Sequence, residues 1–203
     1  MSRIHTQRRE SSLRIIAGAA KGRPIDAVSS STRPTSDRAR EALFSTLASE
    51  FGDFEGLRVL DLYAGTGAIA LEALSRGAAL VHCVENNENA VSAINKNYDS
   101  IKSAQLPGTF HLYAMSVHRF LQDQAAQSYH FIYIDPPYDV EDIDVIETLI
   151  QLSDGGYLNE STLIAVERNS RVRELSWPDG YEALREKRYG QAVIFFGVLA
   201  LAP

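Results

Sequence analysis

The stretch Leu57-Arg58-Val59-Leu60-Asp61-Leu62-Tyr63-Ala64-Gly65-Thr66-Gly67-Ala68-Ile69-Ala70 carries the reading on which the fold turns. An apolar, β-branched run closes near Asp61, two glycines turn the chain, and small apolar residues then open a helix. That succession is the first half of a βαβ unit. Outward from it the alternation repeats. Strands are expected over residues 57–62, 80–85, 109–113, 131–135 and 162–167, with helices over about 68–75, 88–100, 117–123 and 143–152 between them. Such alternation argues for a parallel sheet with helices on both faces. After Trp177 the rhythm changes. Residues 183–188 and 192–199 flank Tyr189-Gly190-Gln191, so an antiparallel hairpin completes a seven-stranded α/β sheet.

Upstream, residues 13–16 and 23–28 flank the glycine-containing segment 17–22 and suggest a small β-hairpin. Thr35-Ser36-Asp37 supplies cap chemistry for a helix whose apolar positions Ala39, Leu43, Phe44, Leu47 and Phe51 recur at helical spacing, ending at Gly52. Residues 1–12 lack periodicity and read as a disordered basic tail, 13–52 as an extension, and 53–203 as the main domain.

The chain of 203 residues is long enough for one domain with a sizeable core. Its longest apolar stretches are strand-sized, which excludes a transmembrane helix, and its first residues lack a secretory apolar region, so a cytoplasmic protein is expected. Cys83, the single cysteine, lies in an apolar run and reads as a buried small hydrophobe. The five histidines show no metal-ligand spacing, and no metal is expected. Net charge is −6, unevenly placed: residues 1–40 hold nine Lys or Arg and three acids, leaving a −12 body. A basic arm on an acidic body fits contact with a polyanion through one surface.

Two motifs carry chemistry. The glycine turn lets backbone approach a ligand closely at a helix N-terminus, and Glu85, ending the next strand, stands where an acid accepts ribose hydroxyls. Ala70 satisfies the third small position of a dinucleotide fingerprint, but Asp61 would repel a pyrophosphate and attract an ammonium group, which favours S-adenosylmethionine over a nicotinamide or flavin dinucleotide. The second motif is Asp135-Pro136-Pro137-Tyr138, closing Phe131-Ile132-Tyr133-Ile134. Paired prolines leave a stiff turn with outward carbonyls, so the Asp135 carboxylate and the Pro136 carbonyl could grip an exocyclic amine while Tyr138 offers a stacking face.

Asp61-x-x-x-Gly65-x-Gly67, Glu85 and Asp135-Pro136-Pro137-Tyr138 together resemble class I S-adenosylmethionine-dependent methyltransferases of exocyclic amines, with a Rossmann-like sheet. Arg14-Ile15-Ile16-Ala17-Gly18, Lys21-Gly22-Arg23, Arg33-Pro34-Thr35-x-x-Arg38-x-Arg40-Glu41-x-Leu43-Phe44 and Leu71-Glu72-Ala73-Leu74-Ser75-Arg76-Gly77 narrow the resemblance to the RsmD family. It implies methylation of guanine N2 in bacterial 16S RNA, at the nucleotide conventionally called guanine 966. It also implies S-adenosylmethionine as cofactor, with S-adenosylhomocysteine as product, held along Asp61, Tyr63, Ala64, Gly65, Thr66 and Gly67 and near Asp135. Glu85 with Asn86 would take the ribose, and Ala114 and Met115 the adenine, Met115 being equally readable as a core residue. Asp135, Pro136 and Tyr138 would be catalytic, and Arg14, Lys21, Arg23, Arg33, Arg38 and Arg40 would contact RNA, Arg38 and Arg40 being equally able to pair with Asp37 or Glu41. The implied partner is 16S RNA, in the small ribosomal subunit or an assembly intermediate, met by a monomer. The tetrapeptide alone equally suits adenine-N6 methylation of DNA or methylation of a protein amide, and a noncatalytic RNA-binding module on the same fold is the other alternative.

Overall fold

The computed structural model of the chain describes residues 13–27, 37–137 and 139–200. The expected tail, the connector over 29–34 with Arg33, the cap residues Thr35 and Ser36, and Tyr138 lie outside the described residues. A two-stranded hairpin, β1 (Leu13–Arg14) with β2 (Pro24–Ile25), precedes helix α1 (Asp37–Phe51). The central sheet follows: β3 (Arg58–Leu62), β4 (Leu80–Glu85), β5 (Thr109–Ala114), β6 (Phe131–Ile134), β7 (Leu163–Asn169), β8 (Tyr181–Tyr189) and β9 (Ala192–Leu199). Their spatial order is β5-β4-β3-β6-β7-β9-β8, parallel through the first five, with β9 inserted antiparallel between β7 and β8. The expected seven-stranded sheet with its terminal hairpin is therefore present.

Helices cover both faces. Alternate strand residues Val59, Val81, Cys83, Phe131, Tyr133 and Ala165 pack beneath α1, α2 (Ala68–Arg76) and α3 (Glu88–Ile101). The intervening residues Leu60, Leu62, Val84, Ile132, Ile134 and Val166 pack beneath α4 (Val117–Phe120) and α5 (Asp142–Asp154). Burial on both faces explains why β6 reads as a continuous apolar run rather than an alternating one. Chain order reverses between β3 and β6, a switch point that opens a crevice at the carboxyl ends of both strands. Cys83 is buried as expected, and burial pushes its thiol up.

Two elements are shorter than their periodicity suggests. Helix α4 stops at Phe120 rather than near residue 123, because the Tyr157 hydroxyl donates to the carbonyls of Phe120 and Asp123 and draws the chain out of the helix. The N-terminal hairpin pairs only two residues per strand, because beyond Ile15, whose amide still reaches the Arg23 carbonyl, the amides turn elsewhere. Ile16 and Ala17 donate to the buried Glu72 carboxylate of α2 at 2.7 and 3.0 Å, Ala19 donates to the Ser75 carbonyl, and Ala20 donates to Ser75 Oγ. Ser75 Oγ in turn donates to the Ala17 carbonyl. The extension is thereby fastened to the last turns of α2, with Leu13, Ile15, Ala20 and Ile25 packed on Leu71 and Ile101.

Gly18 permits this fit. A Cβ there would lie 1.8 Å from the Ser75 carbonyl oxygen, whereas one at Gly22 meets nothing within 4 Å; both glycines have positive φ, 80° and 83°. Gly22→Ala is expected to cost about 1 kcal/mol, the strain of a left-handed alanine, and Gly18→Ala about 3 kcal/mol or more, since backbone must move. Urea unfolding of the two variants checks the difference.

Candidate active site

The carboxyl ends of β3, β4 and β6 converge on the glycine turn. Asp61 is 1% exposed, and its Oδ2 accepts from Ala70 N at 3.0 Å, pinning the first turn of α2 behind the loop. Burial, then the Glu85 charge, pushes its carboxyl well above the usual carboxylate range, opposed by the Ala70 hydrogen bond. Gly65 and Gly67 adopt φ of 56° and 73°, a conformation side chains resist. At Gly67 a Cβ would also press on Ile94 at 3.2 Å. The turn is closed by Gly67 N donating to the Ala64 carbonyl, and Ala64 N donates to Val84 O of the neighbouring strand. Tyr63 takes a positive φ of 59° without being glycine, a strained geometry of the kind that clusters at functional sites. Its ring packs into the α4–α5 core beside Thr148, so backbone rather than ring borders the turn.

Glu85 organises the same loop. Its Oε2 accepts from Gly65 N at 2.8 Å, and its Oε1 accepts from Asn86 N at 2.9 Å and Asn87 N at 2.8 Å. Three of the carboxylate's roughly four lone-pair positions are so engaged. Thr66 is held through its carbonyl by Asn97 Nδ2, and Asn97 also exchanges hydrogen bonds with the backbone of Asp26 at the end of the N-terminal hairpin. Ala114, the last residue of β5, and Met115 just beyond it are exposed, so Met115 is not a core residue. Its apolar surface is open where the adenine is expected.

One strand further, Asp135 N donates to Leu62 O at 3.3 Å, which sets the Asp-Pro-Pro turn beside the glycine loop. Strand pairing aligns Leu62 with Ile134 and Ile134 with Val166, so Asp135 stands level with Glu167 of β7. Burial first, then the charges of Glu167 and Asp61, pushes the Asp135 carboxyl well up, partly offset by Arg168. The buried Tyr133 hydroxyl donates to Glu167 Oε2, and its own ionisation is pushed well up by burial and these acids. A cavity of about 120 Å³ opens here, lined by Asp135, Pro136, Glu167, Arg168, Asn169 and Val172. The acids are not spaced for metal: among the described residues no group of three His, Cys, Asp or Glu could hold an ion.

The basic candidates separate. Arg14, Lys21 and Arg38 are exposed; Arg23 is half-buried, donating to Ser100 O and Ser103 Oγ of the α3 end. Arg40 does not fit the expected RNA contact. It is fully buried, and its Nη2 donates to the Arg14 carbonyl. The cause is helical spacing, since residues 40, 43, 44 and 47 share the inward face of α1. Glu167, Arg168, Glu72 and Asn97 were not singled out by role in the sequence; Glu167 carried a usable signal, an acid ending a strand as Glu85 does.

A family model described as conserved hypothetical protein 95 matches residues 13–198. The chain is 33% identical over 180 residues to ribosomal RNA small subunit methyltransferase D of Escherichia coli (strain K12), covering 88% of this chain and 86% of that protein. The protein of the same name from Haemophilus influenzae is 30% identical over 192 residues, 94% and 95% of the two chains. The solved structure of the Escherichia coli protein yhhF superposes with a TM-score of 0.79 at 30% identity, covering 93% of this chain and 98% of that one.

Glu85→Ala leaves three loop amides without their acceptor. Amide exchange at Gly65, Asn86 and Asn87 is expected to accelerate about tenfold or more, as loss of charge-assisted hydrogen bonds worth about 1.5–3 kcal/mol implies, with Glu85→Gln intermediate. Hydrogen exchange read by NMR checks this.

Proposed function

This chain belongs to the conserved hypothetical protein 95 family, the RsmD family, and from that premise we propose that it methylates the exocyclic N2 of a guanine in the 16S RNA of the small ribosomal subunit. The curated relatives named as ribosomal RNA small subunit methyltransferases support the RNA class, and the earlier resemblance supports guanine 966. The observation that carries the chemistry is Asp135, held at the switch-point crevice one strand from the glycine turn and opening on the cavity.

The residues present fit S-adenosylmethionine. The positive-φ glycines make room for close backbone approach, the carboxylates Asp61, Glu85 and Asp135 suit a cationic ligand with ribose hydroxyls, and exposed Met115 suits an apolar ring face. When bound, that cofactor supplies an electrophilic methyl group on a sulfonium. Asp135 and the Pro136 carbonyl accept the two hydrogens of the target amine. Two acceptors on those hydrogens favour a tetrahedral nitrogen, free its lone pair from the ring, and stabilise the positive charge that develops there. Tyr138 is the expected platform for a base extruded from its stack. Arg14, Lys21 and Arg38, exposed on and beside the docked hairpin, supply phosphate contacts.

The test incubates the protein and labelled S-adenosylmethionine with 16S RNA and small subunits lacking the modification, then identifies the nucleoside by mass spectrometry. N2-methylguanosine is expected; N6-methyladenosine, or label only in duplex DNA or protein, overturns the reading. Asp135→Asn is expected to slow methyl transfer about 100-fold or more, measured as kcat at saturating S-adenosylmethionine. Only the ionised carboxylate serves as the charged acceptor, so the rate falls as pH drops through its raised pKa. That acid limb is expected above the about 3.9 of an ordinary aspartate and to flatten in Asp135→Asn.

A further inference from the structure

The proposed reaction uses Asp135 and Pro136 from the cavity lining and leaves two charged neighbours, Glu167 and Arg168, without a task. Both are positioned with care. The Tyr133 hydroxyl orients the Glu167 carboxylate from below, level with Asp135 on the adjacent strand. The Arg168 side chain is 9% exposed; its Nη2 donates to Val140 O at 2.9 Å and Asp142 Oδ1 at 2.8 Å. Its Nε–H is buried and makes no hydrogen bond among the described residues. Successive residues of a strand point to opposite faces, so Arg168 reaches toward the start of α5, while Glu167 shares the face of Asp135.

Along the carboxyl ends of β6 and β7 the lining thus offers two acceptors side by side, Asp135 and Glu167. The Watson–Crick edge of guanine is the complement, with donors at N2 and N1. Adenine presented by its amine is not, since N6 is followed by the N1 lone pair and then by C2–H. Facing N1 of adenine, the Glu167 carboxylate would oppose another acceptor, an unpaired arrangement that a desolvated site rejects strongly.

We propose that Glu167 reads the target base by accepting from N1–H, and so selects guanine over adenine. The inference rests on the guanine-N2 reading above and adds the residue that enforces it. It also assigns a purpose to the Tyr133–Glu167 contact, which fixes the carboxylate before the base arrives.

The test replaces the target guanine in the RNA with 2-aminopurine, which keeps the N2 amine but carries a lone pair at N1 and hydrogen at C6. The wild-type protein is expected to methylate the 2-aminopurine RNA about 100-fold or more slowly than the guanine RNA. In Glu167→Gln the amide can donate to the N1 lone pair, so kcat/KM falls on guanine and rises on 2-aminopurine, and their ratio contracts about tenfold or more. Equal wild-type rates on the two RNAs, or a Glu167→Gln variant that lowers both by one factor, overturns the assignment. The wild-type comparison stands even if the variant fails to fold. Failure of the wild-type protein to methylate guanine N2 at all would instead strike the reading of the reaction, so the two failures are distinguishable.

Discussion

The repulsion among carboxylates gathered at the ends of neighbouring parallel strands is the constraint on which the site depends. In-register pairing of Leu62, Ile134 and Val166 brings Asp135 level with Glu167, and Asp61 lies two residues short of the same line on β3. None of the three is freely solvated, and the charges of Glu167 and Asp61 help to push Asp135 up. They are buried or half-buried, so these charges act on one another at a reduced effective dielectric. A cation, or a donor-rich ligand such as an amine, relieves that repulsion, while a pyrophosphate would aggravate it. The sheet supplies the register and the glycine turn supplies the approach. The acids supply the preference.

A second set of contacts joins the extension to this site. Glu72 and Ser75, on the last turns of α2, hold the backbone of the hairpin, and the first turn of the same helix is pinned by Asp61. Asn97 of α3 links Asp26 at the hairpin's end with Thr66 in the glycine turn. The motifs around Arg14 and around Glu72, far apart in sequence, are thus the two sides of one joint. Buried Arg40 braces it by donating to the Arg14 carbonyl. The exposed basic residues ride on a platform hydrogen-bonded to the glycine turn, which suits a reaction that must hold one base of a large RNA in register.

Much of this was legible from residues 57–70 outward. The parallel sheet with helices on both faces follows from strand and helix alternation, and the hairpin after Trp177 from its turn and flanking apolar runs. The glycine turn, Glu85 and Asp135 declared themselves by standing where strands end. What escaped were tertiary relations with no local period. Arg40 looked like a surface cation, yet it shares the inward helix face with Leu43, Phe44 and Leu47. Residues 13–16 looked like a longer strand, yet the amides of Ile16 and of Ala17 just after it go to Glu72, 56 and 55 residues away. The Tyr157 hydroxyl that ends α4 acts across more than thirty residues. Glu167 was visible as a strand end, but its pairing with Tyr133 and its level with Asp135 depend on which strands are neighbours, which composition does not state.

The central claim is that burial, and after it mutual repulsion, holds the carboxyls of Asp61 and Asp135 above the usual carboxylate range until a cation is bound. Titration calorimetry of S-adenosylmethionine binding at about pH 6, where an ordinary α-amino group is already protonated, measures this when run in buffers of different ionisation enthalpy. Net proton release on binding is the result expected, because a cation lowers the raised carboxylate pKa values. Binding without proton exchange, or with proton uptake, would contradict it.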